Sequence, residues 1–142
     1  MTIPAQSSTL DVRVYYEDTD FSGRVYHASY LRFMERGRTE WLRLRGFEHR
    51  ALSTESGLVF AVRGVHIEYL APAVIDDLLR VETRLAGAKG AVIAFEQLVV
   101  RGDVRLAQAS VDVVAIRNGR AVRIPRELHE RFERAEAMSA RA

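Results

Sequence analysis

A change of period constrains this chain more than any other feature. Leu10, Val12, Val14 and Tyr16 alternate with Asp11, Arg13, Tyr15 and Glu17, the pattern of a strand with one face buried. From about His27 to Arg45 the repeat becomes helical. Tyr30, Met34, Trp41 and Leu44 recur at spacings of four, seven and three, with Phe33 and Leu42 beside them. Arginines and glutamates fill the other face, and Gly46 stands where a helix of this kind stops. Gly37 lies inside the helix and costs about 1 kcal/mol relative to alanine. Close approach to a flat surface such as a sheet would account for it.

Strand-like runs follow at Leu58 to Leu70, Leu78 to Leu85, Ala91 to Val100 and Leu106 to Ile116. Ala71-Pro72, Gly87-Ala88-Lys89-Gly90 and Gly102-Asp103 separate them, and Asn118-Gly119 is a further turn signal. Pro125 suits the first turn of a closing helix over Arg126 to about Ala137. Tight turns between neighbouring strands imply antiparallel pairing. The order of strand, long helix and strand meander predicts an α+β domain over residues 10–138, after a loose leader over 1–9. One twisted, antiparallel sheet should wrap the apolar face of the one long helix. A single helix leaves the sheet with exposed edges, so a homodimer or homotetramer is expected.

Composition removes several function classes. The 142 residues suit one domain, and 21 basic against 19 acidic residues give a net charge of +2, too even to argue for nucleic acid. The absence of cysteine removes thiolate metal sites and cysteine nucleophiles. His49, His66 and His129 have no ligand spacing, so no metal is expected. No apolar run approaches the roughly 18 residues of a membrane span, and the first residues lack the basic start and apolar stretch of a signal peptide. A cytoplasmic address without membrane insertion is expected. Neither a G-x-S-x-G elbow nor a Gly-rich phosphate loop is present, so no cofactor is expected.

The chemistry lies in Tyr15 to Phe47, which reads YYEDTDFSGRVYHASYLRFMERGRTEWLRLRGF. Within it, Glu17, Asp18, Thr19, Asp20, Gly23, Val25, Tyr26, His27 and Tyr30 spell E-D-T-D-x-x-G-x-V-Y-H-x-x-Y. Glu35, Arg36, Arg38, Thr39 and Glu40 continue it as E-R-x-R-T-E. This pattern resembles the hotdog-fold thioesterases of the 4-hydroxybenzoyl-CoA type, most closely the YbgC branch of acyl-CoA thioesterases linked to the Tol-Pal envelope system. The resemblance runs from about Leu10 to Phe132. Its later part is a strand pattern with the local match Glu68-Tyr69-x-Ala71-Pro72-Ala73.

The resemblance implies a hotdog fold, an acyl-CoA substrate, and Asp20 as the essential carboxylate with His27 assisting it. A carboxylate can activate water as a general base or attack to form a transient anhydride, and both routes stay open. The start of the long helix follows Asp20 closely, and unpaired amides there, near Tyr26 and His27, can receive an oxyanion. Gly23 and Val25 belong to the motif and join the substrate-binding set, with Tyr16 and Tyr26 as candidate walls of the acyl pocket. The CoA phosphates need basic groups, for which Arg63 and Lys89 are candidates. For Lys89 a solvated turn residue is the plainer alternative. Asp18 is read as structural, bonding loop amides. Glu35 and Glu40 are read as surface or helix-pairing charges, and Tyr30 and Trp41 as core. The alternatives are a dedicated aryl-CoA hydrolase, acting on 4-hydroxybenzoyl-CoA or 1,4-dihydroxy-2-naphthoyl-CoA, and a non-catalytic acyl-CoA-binding or envelope-associated protein on the same fold.

Overall fold

The computed structural model describes residues 7–141, with side chains to residue 134. Strand β1 (Ser7–Arg13) leads through a short 3-10 turn, Tyr16–Asp18, to helix α1 (His27–Leu44). Helix α2 (His49–Ser56) follows, then strands β2 (Leu58–Tyr69), β3 (Leu78–Lys89), β4 (Val92–Arg101), β5 (Val104–Arg117) and β6 (Arg120–Ala121), and helix α3 (Arg126–Arg141). The sheet is antiparallel throughout, in the order β1-β3-β4-β5-β2, with β6 paired to β5. It curls around α1 as the hotdog fold requires.

Alternation sets which face is inside. On β3 and β4, Leu79, Val81, Thr83, Leu85, Ile93, Phe95, Gln97 and Val99 are all buried, and Phe33, Met34, Gly37 and Trp41 of α1 belong to the same core. Trp41 sits edge-on to Phe95 at 5.2 Å and tilted against Phe132 of α3 at 5.4 Å. Complete burial of such side chains stabilises by about 1.5–3 kcal/mol each, and aromatic pairing adds about 0.5–1.5 kcal/mol.

The expected close approach at Gly37 is present. A Cβ there would lie 2.7 Å from Thr83 Oγ1 and 2.9 Å from Val81 Cγ1. The polar atoms at this contact satisfy one another. Gln97 Nε2 donates to the Met34 carbonyl and to Thr83 Oγ1, both at 2.8 Å, and Gln97 Oε1 accepts from Arg38 at 2.9 Å. Burial lowers the Arg38 pKa from its ordinary value, which Glu35 partly opposes.

Several expectations need correction. The alternation through Tyr16 overruns the strand, because β1 ends at Arg13 and Tyr16 is 83% exposed. β1 also begins at Ser7, inside the stretch read as leader, of which residues 1–6 lie outside the described residues. Leu44 is 70% exposed at the end of α1, and Phe47 and Leu42 take the core positions there instead. The turn expected at Gly87–Gly90 is mostly strand, with a bulge at Leu85/Gly87 and the reversal at left-handed Gly90. β2 does not neighbour β3; it crosses to pair with β5 and forms one edge of the sheet. Helix α2, which has no buried residue, is not predicted by the sequence pattern.

Candidate active site

The site begins where β1 lets the chain go. Asp18 closes the 3-10 turn by accepting the Tyr15 amide at 2.8 Å, the loop-bonding role expected of it. Thr19 then bridges to Val25, and Asp20 to Gly23 forms a tight turn closed by Gly23 N–H to Asp20 O at 3.0 Å. Gly23 takes φ = +80° there, a region that costs glycine little. The Asp20 carboxylate is exposed, and its Oδ1 accepts both the Ser22 hydroxyl and, at 2.8 Å, the Ser22 amide. The Ser22 hydroxyl and amide hold the Asp20 pKa below the ordinary value, against an opposing effect of burial, and the nearby Arg24 charge lowers it further. Asp20 is therefore ionised near neutrality.

Helix α1 starts beside this turn. Its first flanking residue is Tyr26, which offers no side-chain cap. The Tyr26 amide, expected to be open, instead donates to Asp18 O at 2.9 Å, and the Ser29 amide donates to Tyr26 O at 2.8 Å. Among the described residues, the amides of His27 and Ala28 have no hydrogen-bond partner. Asp20, Ser22, Arg24, Val25, His27 and Tyr30 line an open hollow of about 500 Å³ together with Tyr69 to Pro72. Tyr69, at the end of β2, donates its hydroxyl to the His27 carbonyl at 2.8 Å. Its ring packs edge-on to Tyr30 at 5.4 Å and to His27 at 6.4 Å. The Tyr30 hydroxyl accepts the Ala73 amide at 3.1 Å. Burial raises the pKa of both phenols, that of Tyr69 further through Tyr30, so both are neutral near pH 7.

The sequence matches the model of the thioesterase-like superfamily over residues 14–132. The chain belongs to this superfamily. It is 46% identical over 123 residues to an acyl-CoA thioesterase YbgC of Haemophilus influenzae, covering 85% of this chain and 90% of that protein. An acyl-CoA thioester hydrolase YbgC of Escherichia coli O6:H1 is 46% identical over 106 residues, covering 74% of this chain and 78% of that protein. A crystal structure of a probable thioesterase from Bartonella henselae superposes with a TM-score of 0.81 at 41% identity, covering 84% of this chain and 99% of that one.

In this thioesterase-like chain, the residues singled out from the sequence divide into two groups. Asp20, Val25 and His27 share the hollow, Gly23 shapes its turn, and the Tyr26 ring lies tilted against His27 with centroids 4.3 Å apart. Val25 is itself buried, its amide donating to Ala73 O at 2.9 Å. Tyr16, Arg63 and Lys89 do not line the hollow. Tyr16 points to solvent while its carbonyl holds Thr19. Arg63 is the extra residue of a bulge between Val62 and Gly64, and Lys89 ends β3. A second hollow, of about 510 Å³, contains Glu82, Arg84 and Glu96 and neither Asp20 nor the helix start. Ser22, Arg24 and Tyr69 also line the hollow and were not among the candidates drawn from the sequence. Only Tyr69 carried a signal, inside the Glu68-Tyr69-x-Ala71-Pro72-Ala73 match. Among the described residues no group of three or more metal-ligating side chains occurs, and no helix is long and apolar enough to cross a membrane.

Proposed function

We propose that this protein hydrolyses acyl-CoA thioesters to the free acid and CoA. The observation that carries this reading is one juxtaposition. An ionised carboxylate with one oxygen tethered to Ser22 shares a hollow with a helix start whose first two amides are open. The thioester oxygen is received by the His27 and Ala28 amides, which meet the negative charge that develops as the carbonyl carbon becomes tetrahedral. The free oxygen of Asp20 either takes a proton from the attacking water or bonds to the carbonyl carbon itself. In the first route, collapse of the adduct breaks the C–S bond and CoA leaves as thiolate, taking up a proton. In the second, CoA leaves first and water cleaves the resulting anhydride. Both routes consume one water and give the same products.

The His27 imidazole and the Tyr26 ring orient the acyl group, and Arg24 supplies positive charge at the mouth. Tyr16, Arg63 and Lys89 are read as outer contacts to the substrate and the CoA phosphates. The unit is read as a single cytoplasmic domain that includes all of β1. A homodimer or homotetramer is supported by the long edge strand β2, where Val59, Val62 and Val65 are each more than 40% exposed. A place beside the Tol-Pal envelope system rests on family resemblance alone.

The test is turnover of short-chain, long-chain and aromatic acyl-CoAs by purified protein, with sedimentation at micromolar concentration alongside. The reading expects hydrolysis that Asp20→Asn abolishes, from an assembly larger than the 16.1 kDa chain. Binding without turnover would favour the non-catalytic alternative, turnover of 4-hydroxybenzoyl-CoA or 1,4-dihydroxy-2-naphthoyl-CoA alone the aryl-CoA hydrolase. An active monomer would overturn the assembly.

A further inference from the structure

We infer that Asp18, Ser29 and Arg32 form a positioning unit that fixes the Asp20 carboxylate against the first amides of α1, and so governs the chemical step more than substrate binding. The inference rests on the functional reading of Asp20 and the helix start given above.

Residue 18 touches α1 and its first flanking residue at three points. Its carbonyl accepts the Tyr26 amide at 2.9 Å and the Ser29 hydroxyl at 3.2 Å. Its carboxylate Oδ1 accepts Arg32 at 3.1 Å, and the same guanidinium nitrogen donates to Ser29 Oγ at 2.8 Å. The other carboxylate oxygen holds the Tyr15 amide. One small knot therefore ties the end of β1, the loop and the second turn of α1 together. Both reacting partners hang from it by very short lengths of chain. Asp20 follows Asp18 by two residues, and His27 and Ala28 stand just before Ser29.

The exposures of the members separate positioning from plain stabilisation. Asp18 and Ser29 are buried, but the Arg32 side chain is 55% exposed. An ion pair with that exposure adds little to folding stability, and α1 is already held by the buried Phe33, Met34 and Trp41. Removing Arg32 should therefore leave the fold in place and loosen the loop. A loosened loop loses near-attack geometry, to which rates respond steeply.

The experiment compares Arg32→Gln, Asp18→Asn, their double variant and Asp20→Asn, measuring kcat and KM on one acyl-CoA. Arg32→Gln and Asp18→Asn should each lower kcat about tenfold with KM within about twofold. The double variant should lose no more than the worse single one, because both break one link. Arg32→Lys should recover part of kcat by keeping the charge and a donor. Arg43→Gln, which breaks an exposed pairing with Glu40 and Glu48 on the same helix, should leave kcat unchanged. If Asp18→Asn does not fold, Arg32→Gln and Ser29→Ala decide the matter alone, since neither removes the buried carboxylate. A native kcat in Arg32→Gln, a loss confined to KM, or additive losses in the double variant would overturn the inference. Asp20→Asn tells the two failures apart. If it is inactive while Arg32→Gln is native, only the positioning unit falls. If it is fully active, the functional reading falls first.

Discussion

The middle and the start of α1 handle polar groups in opposite ways. At Gly37 the helix lies so close to β3 and β4 that no side chain fits, and Gln97, Thr83, Arg38 and the Met34 carbonyl close their bonds on one another. Ten residues earlier, the amides of His27 and Ala28 are left open and the carboxylate of Asp20 faces solvent. An unmet buried donor costs about 1–3 kcal/mol, so the middle of the helix must be complete. The start can stay open because it lines a hollow. Stability and chemistry are thus allotted to different turns of one helix, and that division can be tested.

The largest expected effect is at the carboxylate. Asp20→Asn preserves shape but can act neither as base nor as nucleophile, so turnover should fall by at least about a hundredfold. Circular dichroism and thermal midpoint should match the native protein. Retained turnover would move the chemistry elsewhere.

Next comes the amide at position 27. Proline there deletes the donor while its fixed φ suits a first helical residue, and loss of one oxyanion donor costs about a hundredfold to a thousandfold in kcat. His27→Ala keeps the amide and should lose about tenfold, the share of an orienting imidazole. Equal activity in the two variants would assign the role to the imidazole. Oligomeric state must be unchanged for the comparison to count.

Gly37→Ala probes the closed end. Its Cβ meets Thr83 and Val81 at 2.7 and 2.9 Å, and overpacking of this kind costs about 1–3 kcal/mol. The expected readout is a thermal midpoint lowered by several degrees, with far less change in kcat than either site variant. A larger loss in kcat than in stability would mean the two ends are not separate.

The smallest effect is a shift of pH profile. Ser22 is the main cause of the depressed Asp20 pKa, so the native acid limb of kcat/KM should lie below the ordinary carboxylate value of 3.8. Ser22→Ala should move that limb upward, towards the ordinary value. An unmoved limb would show that another group titrates there.

What the sequence made legible follows from which forces leave a periodic trace. Burial of one face does, so α1, the strand runs that became β3 and β4 and the contact at Gly37 could be read in advance. Local hydrogen bonding does not. The chain leaves the sheet after Arg13 because the carboxylate of Asp18 and the carbonyl of Tyr16 turn it, while the apolar alternation runs on to Tyr16. Helix α2 buries no residue, so it carries no apolar stripe to find. Long-range pairing leaves no trace either, since β2 lies beside β5 at a distance no turn signal spans. The candidate site divides the same way. Asp20 and His27 stand in one compact motif, but Tyr69 reaches the helix start from 42 residues away.

The identity of residue 26 has a consequence for how far this fold can be stabilised. A serine or aspartate at that place would bond the amide of Ala28 and stabilise the helix by about 1 kcal/mol. The aspartate would add a favourable charge at the positive end of the helix. Such a side chain would also occupy a donor that the thioester oxygen needs, and so act as a tethered competitive inhibitor. Tyrosine forgoes that stability and keeps the donor available. Selection for heat resistance alone would push this position towards an inert protein.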